Sequence, residues 1–260
     1  LPLIVRLYDF ETPLSEFSWF TYNNQYTDFF LYYKQWSFIS LSFIMIIIIG
    51  VKAYLSKSFL RFSPAFLPLG IYALLSLLSS LLSKYSNISY SGSFAQFESV
   101  FVLLGYCLVV YYIYLFVRTK EDVMFILQCF IIGIIILSVI GFTQFIGMDI
   151  FGNSTIQRLV TPSIYWSSLE TLSFTFENNR VYGTLYNPNY VGVYAALILP
   201  MLLLLTVFTK KLSHLLLCII ALIGVSICLI GSQSTAGVIS IGISLILALI
   251  LLWRYIAKYF

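Results

Sequence analysis

Long apolar runs cut by short polar connectors dominate the chain. A run of about 20 residues at helical rise crosses the hydrocarbon core of a bilayer. Seven such runs are drawn here, over residues 36–54, 65–83, 99–117, 123–146, 189–208, 213–231 and 236–255. Ahead of the first lies a mixed stretch carrying Trp19, Phe20, Tyr22, Tyr26, Tyr32 and Tyr33, with Trp36 following. It reads as an interfacial aromatic belt, part of it lying flat on the membrane surface. Residues 148–188 are the longest hydrophilic segment, and within it 154–173, with Ile164, Tyr165, Trp166 and Leu169, predicts a short interfacial helix. The expected fold is all-α, a polytopic membrane helical bundle. Its divisions are an aromatic segment 1–35, four spans in 36–147, a loop 148–188, and three spans in 189–260.

Composition agrees with the pattern. Apolar residues make up 60% of the chain and charged residues 9%, against about half and a quarter in a soluble domain. The net charge of +4 is scattered over short loops, so no nucleic-acid partner is expected. Cys107, Cys129, Cys218 and Cys228 fall inside apolar runs, where cysteine behaves as a small hydrophobe and implies neither a disulfide nor a metal site. The start, Leu-Pro-Leu-Ile-Val-Arg, reads as the tail of an upstream helix, and another helix is finishing at Phe260. A piece of a longer protein is expected.

The distribution of charge orients the spans. Lys52, Lys57, Arg61, Arg118, Lys120, Lys210, Lys211, Arg254 and Lys258 follow alternate spans, whereas Arg6, Lys34, Lys84, Arg158 and Arg180 are spread through longer segments on the other side. The positive-inside rule makes the first set cytoplasmic. Residues 148–188 then face outward.

The most informative stretch is 180–200, polar and turn-rich in its first half and the opening of an apolar helix in its second. Asn187 suits an N-cap, and Pro188 suits the first helical position, where a missing N–H costs little. Gly183 permits a bend, and Gly192 permits close helix contact. Arg180 precedes this helix mouth, where unpaired N–H groups and the helix dipole favour an anion. Its planar fork suits a diphosphate bidentately. Each residue also has a plainer reading: Arg180 as an anchor snorkelling to headgroups, Asn187 as a cap, and Asn189 as a turn residue. Arg158 reads as a second outward cation or a solvated loop charge. Glu177 and Glu170 read as a general base for an acceptor hydroxyl or as ordinary loop carboxylates. The spans almost lack ionisable residues, which counts against a proton or ion path.

Arg180, Gly183, Asn187, Pro188, Asn189 and Gly192, followed by the small-polar run Gly-Ser-Gln-Ser-Thr-Ala-Gly over 231–237, resemble the core of the O-antigen ligase and O-antigen polymerase-like membrane family. Where the family usually carries a Ser-Arg pair in that second run, this chain has Ser234 and Thr235. The resemblance implies a glycosyltransferase that transfers or polymerises a glycan from an undecaprenyl-diphosphate carrier at the outer face of the bacterial cytoplasmic membrane. The acceptor would be a glycan or a lipid, and neither cofactor nor metal would be required. It implies a catalytic Arg180 against the diphosphate, and substrate contacts from Asn187, Asn189, Arg158 and Glu177. Gly183, Pro188 and Gly192 would be structural. It also implies further catalytic residues in a second outward loop beyond Phe260. The competing readings are a flippase or exporter of the same lipid-linked glycan, and a non-catalytic membrane scaffold.

Overall fold

The computed structural model describes residues 1–12, 14, 17–20, 25–56, 61–93, 96–171 and 180–259, with side chains for all of these except 168–171, 251, 252 and 254–259. The chain is 74% helical. Its long helices are α1 (Tyr32–Ser56), α2 (Leu67–Leu82), α4 (Val100–Phe116), α5 (Lys120–Phe145), α7 (Pro188–Phe208), α8 (Leu212–Ser232) and α9 (Thr235–Tyr259), with short α3 (Ser86–Ser91) and α6 (Ser154–Val160) between them. Among the described residues, five stretches are long and apolar enough to cross a bilayer: Tyr32–Leu55, Pro64–Leu82, Lys120–Phe145, Pro188–Phe208 and Leu212–Ser232. Val100–Phe116 and Thr235–Ile250 are shorter apolar helices. All seven fall where the apolar runs predict them. Large apolar side chains stand exposed along them, among them Ile47 at 63% and Leu197 at 72%. In water such surfaces would be costly; against lipid tails they are at home. This is an all-α, multi-pass membrane protein.

The chain divides by its contacts into two compact units, essentially 3–124 and 125–260. The first contains the two strands found among the described residues. Strand β1 (Tyr8–Glu11) pairs antiparallel with β2 (Gln25–Asp28), Tyr8 opposite Asp28 and Glu11 opposite Gln25. This segment therefore pairs its backbone groups in a ladder, a hairpin that the sequence pattern does not predict. The alternation Tyr-Asp-Phe-Glu puts Tyr8 and Phe10 on one face of the strand. There Tyr8 stacks on Tyr32, and Phe10 meets Phe97 edge-on. Asp28 ends β2 and opens α1: its Oδ2 accepts from the N–H of Leu31 and of Tyr32, both at 2.8 Å. Burial pushes its carboxyl above the usual range, while those backbone N–H groups pull the other way. Helices α1 and α4 approach closely at Gly105, where a Cβ would lie 2.7 Å from Phe38 and from Ser42.

In the second unit α5, α7 and α8 share a core of Ile131, Ile134, Ala195, Leu199, Leu202, Ala221 and Val225. Lipid offers no hydrophobic drive between helices, so contact rests on small residues that let backbones meet. Gly192 of α7 faces Gly237 of α9, and a Cβ on Gly237 would lie 2.6 Å from the Gly192 Cα. Gly224 of α8 faces Ser138 of α5 in the same manner, its Cβ meeting the Ser138 Cβ at 2.5 Å. The single interfacial helix expected over 154–173 is two pieces, α6 and a 3-10 turn at Ser163–Thr171, separated at Thr161 and Pro162. The proline, which has no N–H to offer the ladder, accounts for the break.

Gly237→Ala is expected to force α7 and α9 apart and destabilise the unit by about 1–3 kcal/mol, the usual cost of overpacking. Gly242→Ala, in the same helix with nothing within 4 Å of its Cβ, is expected to cost nothing. Thermal unfolding of the two purified variants in detergent makes the comparison, and equal midpoints would refute the close contact.

Candidate functional site

The last carbonyls of a helix have no partner within it. Helix α8 ends at Ser232, with Gln233 turned into the left-handed region at φ 54° and its N–H bonded to Ile230 O. Two of the remaining carbonyls are taken by the segment that precedes α7. Val181 N–H donates to Gly231 O at 2.9 Å, and Arg180 Nε–H donates to Ser232 O at 3.2 Å. The guanidinium thus sits on the negative end of the α8 dipole, where a cation is favoured. Gly231 makes this possible, since a Cβ there would lie 2.5 Å from Val181 Cγ2 and 2.8 Å from Phe145 Cδ2. Val181 is fully buried.

The turn that follows is held from α5. Gln144, 2% exposed, accepts through Oε1 from Tyr182 N–H at 3.2 Å and Gly183 N–H at 2.7 Å. Its Nε2 donates to Gly183 O at 3.3 Å and to Asp149 Oδ1 at 3.4 Å. Tyr182 Oη–H donates to Asp149 Oδ2. Burial, and then this carboxylate, push the Tyr182 hydroxyl above the usual tyrosine range, so it stays a donor through neutral pH. Gly183 has φ +59°, a conformation glycine adopts without the Cβ clash other residues suffer. One amide side chain therefore satisfies three backbone groups of the bend.

Asn187 caps α7, its Oδ1 accepting from Asn189 N–H at 2.8 Å, and Pro188 occupies the first helical turn. Asn189 is exposed. Gly192, one turn further, packs under Ser234 and Gly237, a Cβ on it falling 2.3 Å from Ser234 Oγ. Ser234 Oγ in turn accepts from Gly237 N–H at 3.2 Å and caps the start of α9. The two sequence motifs, 180–192 and 231–237, thus meet in one place.

Arg180 is half-buried. With Nε fixed on Ser232 O, its terminal nitrogens have no hydrogen-bond or carboxylate partner among the described residues. Arg158, exposed at the end of α6, stacks over the Trp166 ring at 5.9 Å, and no contact among the described residues joins it to Arg180. Glu177 lies outside the described residues. Sequence reasoning gave no role to Gln144, Asp149 or Tyr182. The available signal was a glutamine at the end of an otherwise apolar span, since polar groups at membrane depth are retained for a partner.

Gln144→Leu keeps the volume and leaves Tyr182 N–H and Gly183 N–H without their acceptor, a cost of about 1–3 kcal/mol for buried donors. Amide exchange at these two positions is expected to quicken by about one order of magnitude or more. Unchanged protection would show that Gln144 does not hold the bend.

No protein-family model, no curated protein and no solved structure matches the chain.

Proposed function

We propose that the protein is an O-antigen-ligase-like glycosyltransferase, moving a glycan from an undecaprenyl-diphosphate carrier to an acceptor hydroxyl at the outer face of the bacterial cytoplasmic membrane. The observation that carries this reading is the Arg180 guanidinium, anchored through Nε while its terminal N–H groups remain unpartnered among the described residues. A fork fixed at its root, with no partner at its tip among the described residues, fits a ligand with paired oxyanions, as a diphosphate has.

In glycan transfer from such a carrier the sugar–phosphate bond breaks, and the lipid diphosphate leaves with growing negative charge. A cation placed beforehand where that charge develops stabilises the transition state more than the ground state. The anchor on Ser232 O and the Gln144 clamp beneath the bend supply such placement, because neither needs to rearrange during the reaction. Asn189 is exposed beside this turn and is assigned to substrate positioning. The acceptor hydroxyl must lose a proton to a base, for which Glu177 and Glu170 are the candidates in this sequence.

In cells making the polymer, Arg180→Ala is expected to lower its amount by about two orders of magnitude, the usual cost of removing one charge-stabilising donor. The lipid-linked precursor would accumulate in the outer leaflet. Arg180→Lys keeps the charge without the fork and should restore only part of the activity. Unchanged polymer in Arg180→Ala would overturn the assignment. Precursor trapped in the inner leaflet would mark a flippase instead.

A further inference from the structure

Within the first unit a cavity of about 130 Å³ opens between the β1–β2 hairpin, the start of α1, and α3 with the residues that follow it. One water needs only about 10–15 Å³ by the same measure, so the space suits a small organic ring, not a single water or ion. One wall is aromatic: Tyr8, Phe10, Tyr32 and Phe97. These rings fix one another, Tyr8 lying parallel to Tyr32 at 3.5 Å and Phe97 meeting Phe10 at 5.2 Å and Tyr32 at 5.7 Å, both edge-on. The polar lining residues are Glu11, Thr12, Ser91 and Ser93, with the Ser91 hydroxyl donating to Asn87 O at 2.8 Å. Gly92, between those serines, has φ +86°, and a Cβ there would lie 2.9 Å from the Phe97 backbone. The α3 connection can follow this path beside the rings only with glycine at that point.

No lysine, arginine or histidine is among the described lining residues. A phosphate, a sulfate or an acidic sugar would therefore meet a carboxylate and no counter-charge. A hydrocarbon chain would take water from the Glu11 carboxylate and offer it no hydrogen bond in return. The remaining class has one apolar face and a hydroxylated edge. A pyranose ring has both: its axial C–H bonds present a slightly positive face to the negative face of an aromatic ring, and its hydroxyls can pair with a carboxylate and with side-chain hydroxyls.

We propose that this pocket is a binding site for one uncharged pyranose residue, stacked against the aromatic wall with its hydroxyls on Glu11. The site lies in a different unit from Arg180, and its occupancy is read by binding, whereas the glycan-transfer reading is judged by polymer and precursor in cells. Either can fail alone.

The test uses the full chain purified into lipid nanodiscs. Saturation-transfer NMR is recorded with the methyl glycosides of glucose, galactose, mannose and N-acetylglucosamine, and with choline as an organic cation. Transfer to the ring C–H protons of at least one glycoside is expected. Glu11→Gln, at an exposed strand end, leaves the hairpin intact and removes a charge-assisted acceptor, so binding should weaken by about threefold or more. Phe10→Leu should abolish the transfer. Absence of transfer to every glycoside would overturn the proposal, as would transfer unchanged by Glu11→Gln. Choline binding in preference to the glycosides would reassign the pocket to organic cations.

Discussion

The C-terminal end of α8 is the constraint on which the second unit depends. A helix that ends among buried residues, as α8 does at Gly231 and Ser232, cannot leave its final carbonyls without partners at no cost. Here Gly231 O and Ser232 O are met by Val181 N–H and Arg180 Nε–H. One chain segment thereby solves the helix-end problem and gains a fixed position for a guanidinium. Gly231 is obligatory for this, because any side chain would strike Val181 and Phe145. The same economy runs through Gln144, whose single amide takes both N–H groups and a carbonyl from the bend.

The arrangement separates what is fixed from what is open. Val181, Tyr182, Gly183 and Thr184 are all buried, whereas Asn189 and Tyr190 are exposed and Arg180 lies between. Behind the bend, α7 and α9 touch backbone to backbone at Gly192 and Gly237, and Ser234 caps α9 at the same level. A cation held in this way has little conformational freedom left to lose when an anion binds. That is the physical content of the proposed role: the structural work goes into the root of the guanidinium, and its tip is left for a ligand.

Much of the fold was legible in the sequence because the bilayer sets the length of each apolar run, and local rules set its ends. Asn187 and Pro188 announced the start of α7 through groups two residues apart, as the hydrogen bond to Asn189 N–H shows. The placement of Gln144 was not legible, since the amides it holds lie 38 and 39 residues away and no spacing rule links them. For the same reason the motif at 180–192 could be matched to the run at 231–237 only by resemblance, whereas the contact at Gly192 and Ser234 is a matter of packing. The hairpin was hidden by its brevity. Four residues of alternation in each strand, set among many aromatics, look the same as an interfacial belt. Pro162 is a signal for the division of 154–173, whereas the expectation of one helix there rests on Ile164, Tyr165, Trp166 and Leu169.

The proposed role of Arg180 depends on which side of the membrane its guanidinium faces. In a chain with its four native cysteines replaced, Arg180→Cys is exposed in intact cells to a maleimide that cannot cross the membrane, with Lys211→Cys as the opposite-side reference. Labelling of position 180 from outside, with position 211 reacting only after permeabilisation, is the predicted result. The reverse pattern would contradict it and remove the outer-face diphosphate from the account.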